Sequence, residues 1–208
     1  MRWLLFFFLP LSLSLTGCLS IAWQGYKKPI DSDFETIRCI RIGRQNLNLL
    51  QWQAIKEATG DVCDVLSDPE FKQRLLSKSW LASCEKVKGK MDTISGQEVY
   101  QILTNHVYQY SIHPHKPWKA EGQAETDLLK PEDNRIAIDP MAIDGWFSTV
   151  DTIRSNLINI IVHETVHIIS ERFLDYDGYG SAACPDSQLL SYALGDLAEE
   201  IWLKRHRK

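Results

Sequence analysis

His163-Glu164-Thr165-Val166-His167 is the part of the chain where residue type and spacing could do chemistry. Residues four apart on a helix stand on one face, one turn above the other. Two imidazoles so placed can point at a single ion. A carboxylate directly after the first histidine reaches a water beside that ion rather than the ion itself. The spacing therefore predicts a helix here, and the neighbours agree. Val150, Ile153, Leu157, Ile158, Ile161, Val162 and Ile168 give residues 149–170 the strongest helical pattern in the chain. Three ionisable groups amid so many isoleucines and valines are costly to bury without partners, which favours an ion over a purely structural role.

This motif, with Arg135-Ile-Ala-Ile-Asp139 upstream of it, resembles the zincin metallopeptidases over residues 134–192. The family fold has an edge strand that binds extended peptide, then the helix carrying HExxH, then a third ligand. The resemblance implies Zn²⁺ on His163 and His167, Glu164 as general base, and a peptide or protein substrate beside Arg135–Asp139. It leaves the third ligand open. The metzincin third histidine, six residues on, is replaced by Phe173. A gluzincin-like spacing puts the acid at Asp186, in Cys184-Pro185-Asp186 at the expected start of the last helix, with Asp in place of the family's Glu. Asp175 and Asp177, in Asp175-Tyr176-Asp177-Gly178-Tyr179-Gly180, are similar to the aspzincin segment GTxDxxYG, although the Asp-to-Tyr spacing differs. Asp196, Glu199 and Glu200 complete the set, since zinc accepts either carboxylate. Asp186 is preferred among them. An oxyanion donor is also needed. Tyr176, Tyr179 and Tyr192 follow the motif, and Tyr179, in the glycine-rich turn, is preferred.

The rest of the 208-residue chain has to position that motif. A formal net charge of −4 gives no support for nucleic-acid binding, which usually shows a basic face. Residues 1–17 hold one early cation, Arg2, and a short apolar run, the layout of a secretory signal peptide. Leu15-Thr16-Gly17-Cys18 resembles a bacterial lipobox. That resemblance implies a lipid on Cys18, anchorage to a membrane of the cell envelope, and an outer-membrane destination, because no Asp follows the cysteine. Residues 18–33 read as a tether and 34–208 as one domain. Cys39, Cys63, Cys84 and Cys184 remain, and in an exported chain they read as two disulfides with three possible pairings.

Spaced apolars from Ile37 to Gly60 predict a helix, and Asp68-Pro69 starts another. Ser95-Gly-Gln-Glu98 is a capping box before Val99, Ile102 and Leu103. Tyr108–Ile112 and Arg135–Asp139 alternate as strands. Residues 113–133, with three prolines, read as a long loop containing the exposed pair His113 and His115. The last helix is expected from Pro185 or Asp186 to about Lys204, with a solvated basic end at Lys204–Lys208. Trp52 and Trp80 are expected in the core. The whole predicts an α+β, mostly helical, zincin-like domain with a small sheet whose edge strand precedes the HExxH helix. Its expected role is zinc-dependent peptide hydrolysis in the envelope. The alternatives are a non-enzymatic lipoprotein that binds a partner or a metal and, more remotely, a metallo-amidase acting on cell-wall peptide. Oligomeric state is not legible in the sequence.

Overall fold

The computed structural model describes residues 33–87, 90–105, 108–115, 124–126, 134–170, 172–173 and 189–207. Within them the fold is α+β, with six α-helices and two small sheets. Among the described residues no helix is long and apolar enough to cross a membrane.

The main sheet has the order β1-β2-β5-β7-β6. It is built from β1 (Phe34–Ile37), β2 (Ile40–Arg44), β5 (Tyr108–Pro114), β6 (Ala124–Thr126) and β7 (Arg135–Ile138). β2, β5 and β7 run parallel, and the short β1 and β6 close the two edges in antiparallel sense. Parallel neighbours need a crossover. Between β2 and β5 the chain passes through α1 (Leu49–Leu66), α2 (Pro69–Leu76), the hairpin β3 (Ser79–Val87) and β4 (Lys90–Ser95), and α3 (Gly96–Asn105). After β7 come α4 (Pro140–Asp144), a 3-10 turn (Gly145–Phe147), α5 (Asp151–Ile169) and α6 (Leu190–His206).

α5 carries the motif and is buried nearly all round, from Leu157, Ile158 and Ile161 to Val166 and Ile169. A helix apolar on every side belongs inside a fold, not on its surface. One face meets the sheet, where the Thr165 hydroxyl lies 3.4 Å from the Tyr110 hydroxyl of β5 and also donates to the Ile161 carbonyl at 2.6 Å. Side chains alternate across a strand, so Tyr108 and Ile112 share the Tyr110 face with their register partners Ile40 and Ile136. The other side of α5 meets α6, antiparallel to it. Asn159 Nδ2 donates to Asp196 Oδ1 at 3.0 Å and to Glu199 Oε2 at 2.9 Å, and Ser155 Oγ donates to Glu199 Oε1 at 2.6 Å. The helices approach closely at Gly195, where any Cβ would overlap the Asn159 side chain.

α6 is in turn tied to α1 and α2. Trp202 Nε1 donates to Asp61 Oδ2 at 2.7 Å, and Arg154 lies over the rings of both Trp146 and Trp202. Lys204 pairs with Glu70 at 2.6 Å, Arg205 pairs with Asp68, and Arg74 pairs with Glu200 at 2.7 Å. The basic helix end is exposed at Lys204, Arg205 and Arg207, as read, and pairs across the surface with the acidic start of α2; against the upward push of burial, the Glu70 main-chain N–H and the Arg205 pair hold the Asp68 carboxyl below its usual range.

Several boundaries differ from the sequence reading. Residues 34–44 form a β-hairpin rather than the first turns of a helix, because Ile40 and Ile42 recur at a period of two and both are fully buried. The helix starts later, at an Asn48–Gln51 capping box, and runs through Gly60 to Leu66. An interior glycine weakens a helix by about 1 kcal/mol, which packing outweighs. The hairpin β3–β4 has no counterpart in the sequence reading. The Ser95–Glu98 box is present, with Glu98 N–H donating to Ser95 Oγ at 3.2 Å and Ser95 N–H to Glu98 Oε2 at 3.0 Å. Trp80 is buried, while Trp52 is only partly so. α6 is described from Leu190, after an extended Leu189, and the expected start at Pro185 or Asp186 lies outside the described residues.

Cys39 and Cys63 are joined by a disulfide. Cys18, Cys184 and the Cys84 side chain lie outside the described residues.

Candidate metal centre

α5 presents His163 and His167 on one face, as the spacing requires. Their Nε2 atoms are 3.2 Å apart, and the rings meet nearly edge to face. Two nitrogens each about 2.0–2.1 Å from one tetrahedral ion stand about 3.3 Å apart, so the pair fits as ligands of a single zinc.

His167 is oriented from behind. Its Nδ1–H donates to the Phe173 main-chain oxygen at 2.5 Å, and the residue is buried. A neutral ring with its proton on Nδ1 leaves the Nε2 lone pair facing His163, the tautomer a metal ligand needs. Phe173 occupies the position where a metzincin carries its third histidine. Here it contributes its carbonyl to the far side of His167, and the residue is 1% exposed in the core. The segment is clamped by Arg172, whose Nε and Nη2 bond Asp92 at 2.9 and 2.5 Å and whose Nη2 also reaches the Thr93 carbonyl at 3.0 Å. The hydrogen bonds and charge of Arg172 hold the Asp92 carboxyl below its usual range, in spite of burial.

Glu164 is 4% exposed, and its Oε1 lies 4.0 Å from His163 Nε2. Its other oxygen, Oε2, accepts the Thr126 hydroxyl at 2.5 Å. Thr126 is on β6, in register with Ile136 of β7, and so on the sheet face that meets α5. Tyr192 of α6 stands edge-on to the His163 ring, with centroids 4.5 Å apart.

Among the described residues the strand nearest the motif is therefore β6, the outermost strand of the sheet on that side. Arg135–Ile138 lies one strand in, paired on both sides, and is not the edge. No sequence signal marks β6, which has three residues inside a stretch read as loop. Thr126 and the Phe173 carbonyl were both missed for this reason: neither residue type advertises its task. His113 also departs from the exposed-loop reading. It is the sixth residue of β5, is 6% exposed, and has Nδ1 3.4 Å from Asn46 Nδ2. Burial, with the charges of His115 and Arg135, lowers its pKa. It lies on the opposite sheet face from Tyr110 and does not join the motif.

Asp196 and Glu199 are engaged by Asn159 and Ser155, one and two turns of α5 before His163, and Glu200 is paired with Arg74. Among the described residues no group of three His, Cys, Asp or Glu side chains is placed to hold a metal. Asp175, Tyr176, Asp177, Tyr179 and Asp186 lie outside the described residues. Comparison of the chain with family models, with curated proteins and with solved structures finds no match.

Proposed function

We propose that the chain is a zinc-dependent peptidase of the bacterial cell envelope, with His163 and His167 as zinc ligands and Glu164 as general base. The observation that carries this reading is the convergence of the two Nε2 atoms at 3.2 Å, with His167 held in the ligand tautomer by Phe173 and the Glu164 carboxylate alongside. Three polar side chains so arranged on a buried helix are costly unless they share a task.

Zinc bound there would polarise the scissile carbonyl and lower the pKa of a water to about 7. Glu164 accepts the proton of the attacking water on Oε1, the oxygen turned toward the histidines, and returns it to the leaving nitrogen. His167 and His163 keep their Nε2 atoms aligned throughout. β6 is the outer strand of the sheet among the described residues, so an extended peptide would pair along Ala124–Thr126 rather than along Arg135–Asp139. The third ligand is Asp186 or one of Asp175 and Asp177, and the oxyanion donor is Tyr179, with Tyr192 the alternative beside His163. A lipid on Cys18 tethers the domain to the membrane.

The test is zinc content by elemental analysis, paired with turnover of a quenched-fluorescence peptide library. One zinc per chain is expected, lost in His163→Ala and in Asp186→Ala. Glu164→Gln should keep zinc and lose turnover. Zinc retained in Asp186→Ala moves the third ligand to Asp175 or Asp177. Zinc bound with no turnover of any peptide points instead to a lipoprotein that binds a partner or a metal. A folded wild-type chain that takes up no zinc overturns the reading.

A further inference from the structure

The two oxygens of Glu164 are not equivalent. Oε1 faces His163 Nε2 across 4.0 Å, too far for a direct hydrogen bond. Oε2 receives the Thr126 hydroxyl at 2.5 Å, and the same hydroxyl is 3.5 Å from the Glu164 carbonyl. A glutamate has three rotatable side-chain bonds, and a free one would sample several rotamers. Here the carboxylate is 4% exposed and is gripped at one oxygen by a different element of the fold, the edge strand.

We infer that Thr126 is a positioning residue for the general base: its hydroxyl engages Oε2, so that Oε1 is the oxygen held toward the water and takes the proton. This rests on the peptidase reading above. The Thr126 side chain touches neither substrate nor metal in this scheme and acts only through Glu164, while its main chain belongs to the strand along which a peptide pairs. It also couples the two halves of the site. The strand along which a peptide pairs is the strand that holds the base, so a substrate that displaces β6 also displaces Glu164. Misplacing a reacting group by about 1 Å costs on the order of 100-fold in rate, so losing this restraint falls on kcat.

The experiment compares Thr126→Val, which keeps the shape and removes the hydroxyl, with Thr126→Ser, which keeps the hydroxyl. Each is made in the full chain, alone and with Glu164→Gln. The first readout is the infrared difference spectrum of the metal-depleted protein, which needs neither zinc nor substrate. Thr126→Val should shift a carboxylate stretching band, Thr126→Ser should restore it, and the shift should be absent in the Glu164→Gln background. The second readout is kinetic, on the quenched-fluorescence peptides. Thr126→Val should lower kcat about 10- to 100-fold with KM changed less than about threefold and zinc content unchanged, and Thr126→Ser should recover most of the loss. No carboxylate shift in Thr126→Val overturns the inference, as does an unchanged kcat beside an inactive Glu164→Gln. Full activity in Glu164→Gln would instead overturn the peptidase mechanism, and the infrared result would still decide whether Thr126 holds the carboxylate.

Discussion

Replacing Gly195 by alanine sets two effects against each other, and the structure decides between them. Gly195 lies in the interior of α6, where alanine is favoured over glycine by about 1 kcal/mol on helix propensity alone. A Cβ at this position, however, would overlap Asn159 Oδ1 and stand 3.1 Å from both Asn159 Cγ and the Asn159 main-chain oxygen. The amide would have to swing away, losing its hydrogen bonds to Asp196 and Glu199, about 1 kcal/mol each. The backbone oxygen cannot swing, so α5 and α6 must also part by a few tenths of an ångström, at an overpacking cost of about 1–2 kcal/mol. The net expectation is a loss of about 2 kcal/mol, read by urea denaturation of the metal-free chain. In the Asn159→Ala background the side-chain overlap is gone, and the same substitution should cost well under half as much. Tyr192 sits three residues before Gly195, so the displacement also moves its ring from His163. A Gly195→Ala protein as stable as wild type, or more stable, would refute the close approach of the two helices beside the motif.

Arg172→Ala should free the segment that carries the Phe173 carbonyl and weaken zinc binding about 10-fold, as loss of an outer-shell partner does, with stability changed by no more than about 1 kcal/mol. Competition with a chromogenic chelator measures it, and unchanged affinity would show that the clamp does not orient His167. Opening the Cys39–Cys63 disulfide, which spans a sequence separation of 24, should cost about 3.5 kcal/mol by the chain-entropy relation. Urea unfolding of the Cys39→Ala/Cys63→Ala pair checks this, and a loss below about 1 kcal/mol would contradict it. His113 has its folded pKa lowered by burial, His115 and Arg135, so below the unfolded value of about 6.5 the unfolded chain binds more protons. Stability should therefore fall with pH from about 6.5 until His113 itself is protonated in the folded state. The difference between wild type and His113→Asn, measured across that window, should show this slope, and parallel curves would exclude it.

The sequence by itself determined α5 and the placement of its histidines. A period of 3.6 in isoleucines and valines is a local property, and i, i+4 geometry follows from it without any knowledge of the rest of the fold. The helix after Asp68-Pro69 and the Ser95–Glu98 box were legible for the same reason, since a cap is made by neighbours in sequence. The α+β class followed from the mixture of periods. Only the tertiary structure decided which strand is the edge. Strand order depends on pairing partners far apart in the chain, and β6 is too short and too polar to declare itself. The same holds for the groups around the motif. Thr126, the Phe173 carbonyl and the Tyr192 ring reach it from β6, from the chain beyond α5 and from α6, and a threonine hydroxyl or a main-chain oxygen has no pattern to read. The reading of Ile37–Gly60 as one helix failed where two periods overlapped, and burial of Ile40 and Ile42 in the sheet settled it. Residue type and local spacing specify which atoms can do chemistry; how those atoms are oriented depends on contacts between distant segments, which exist only once the chain has folded.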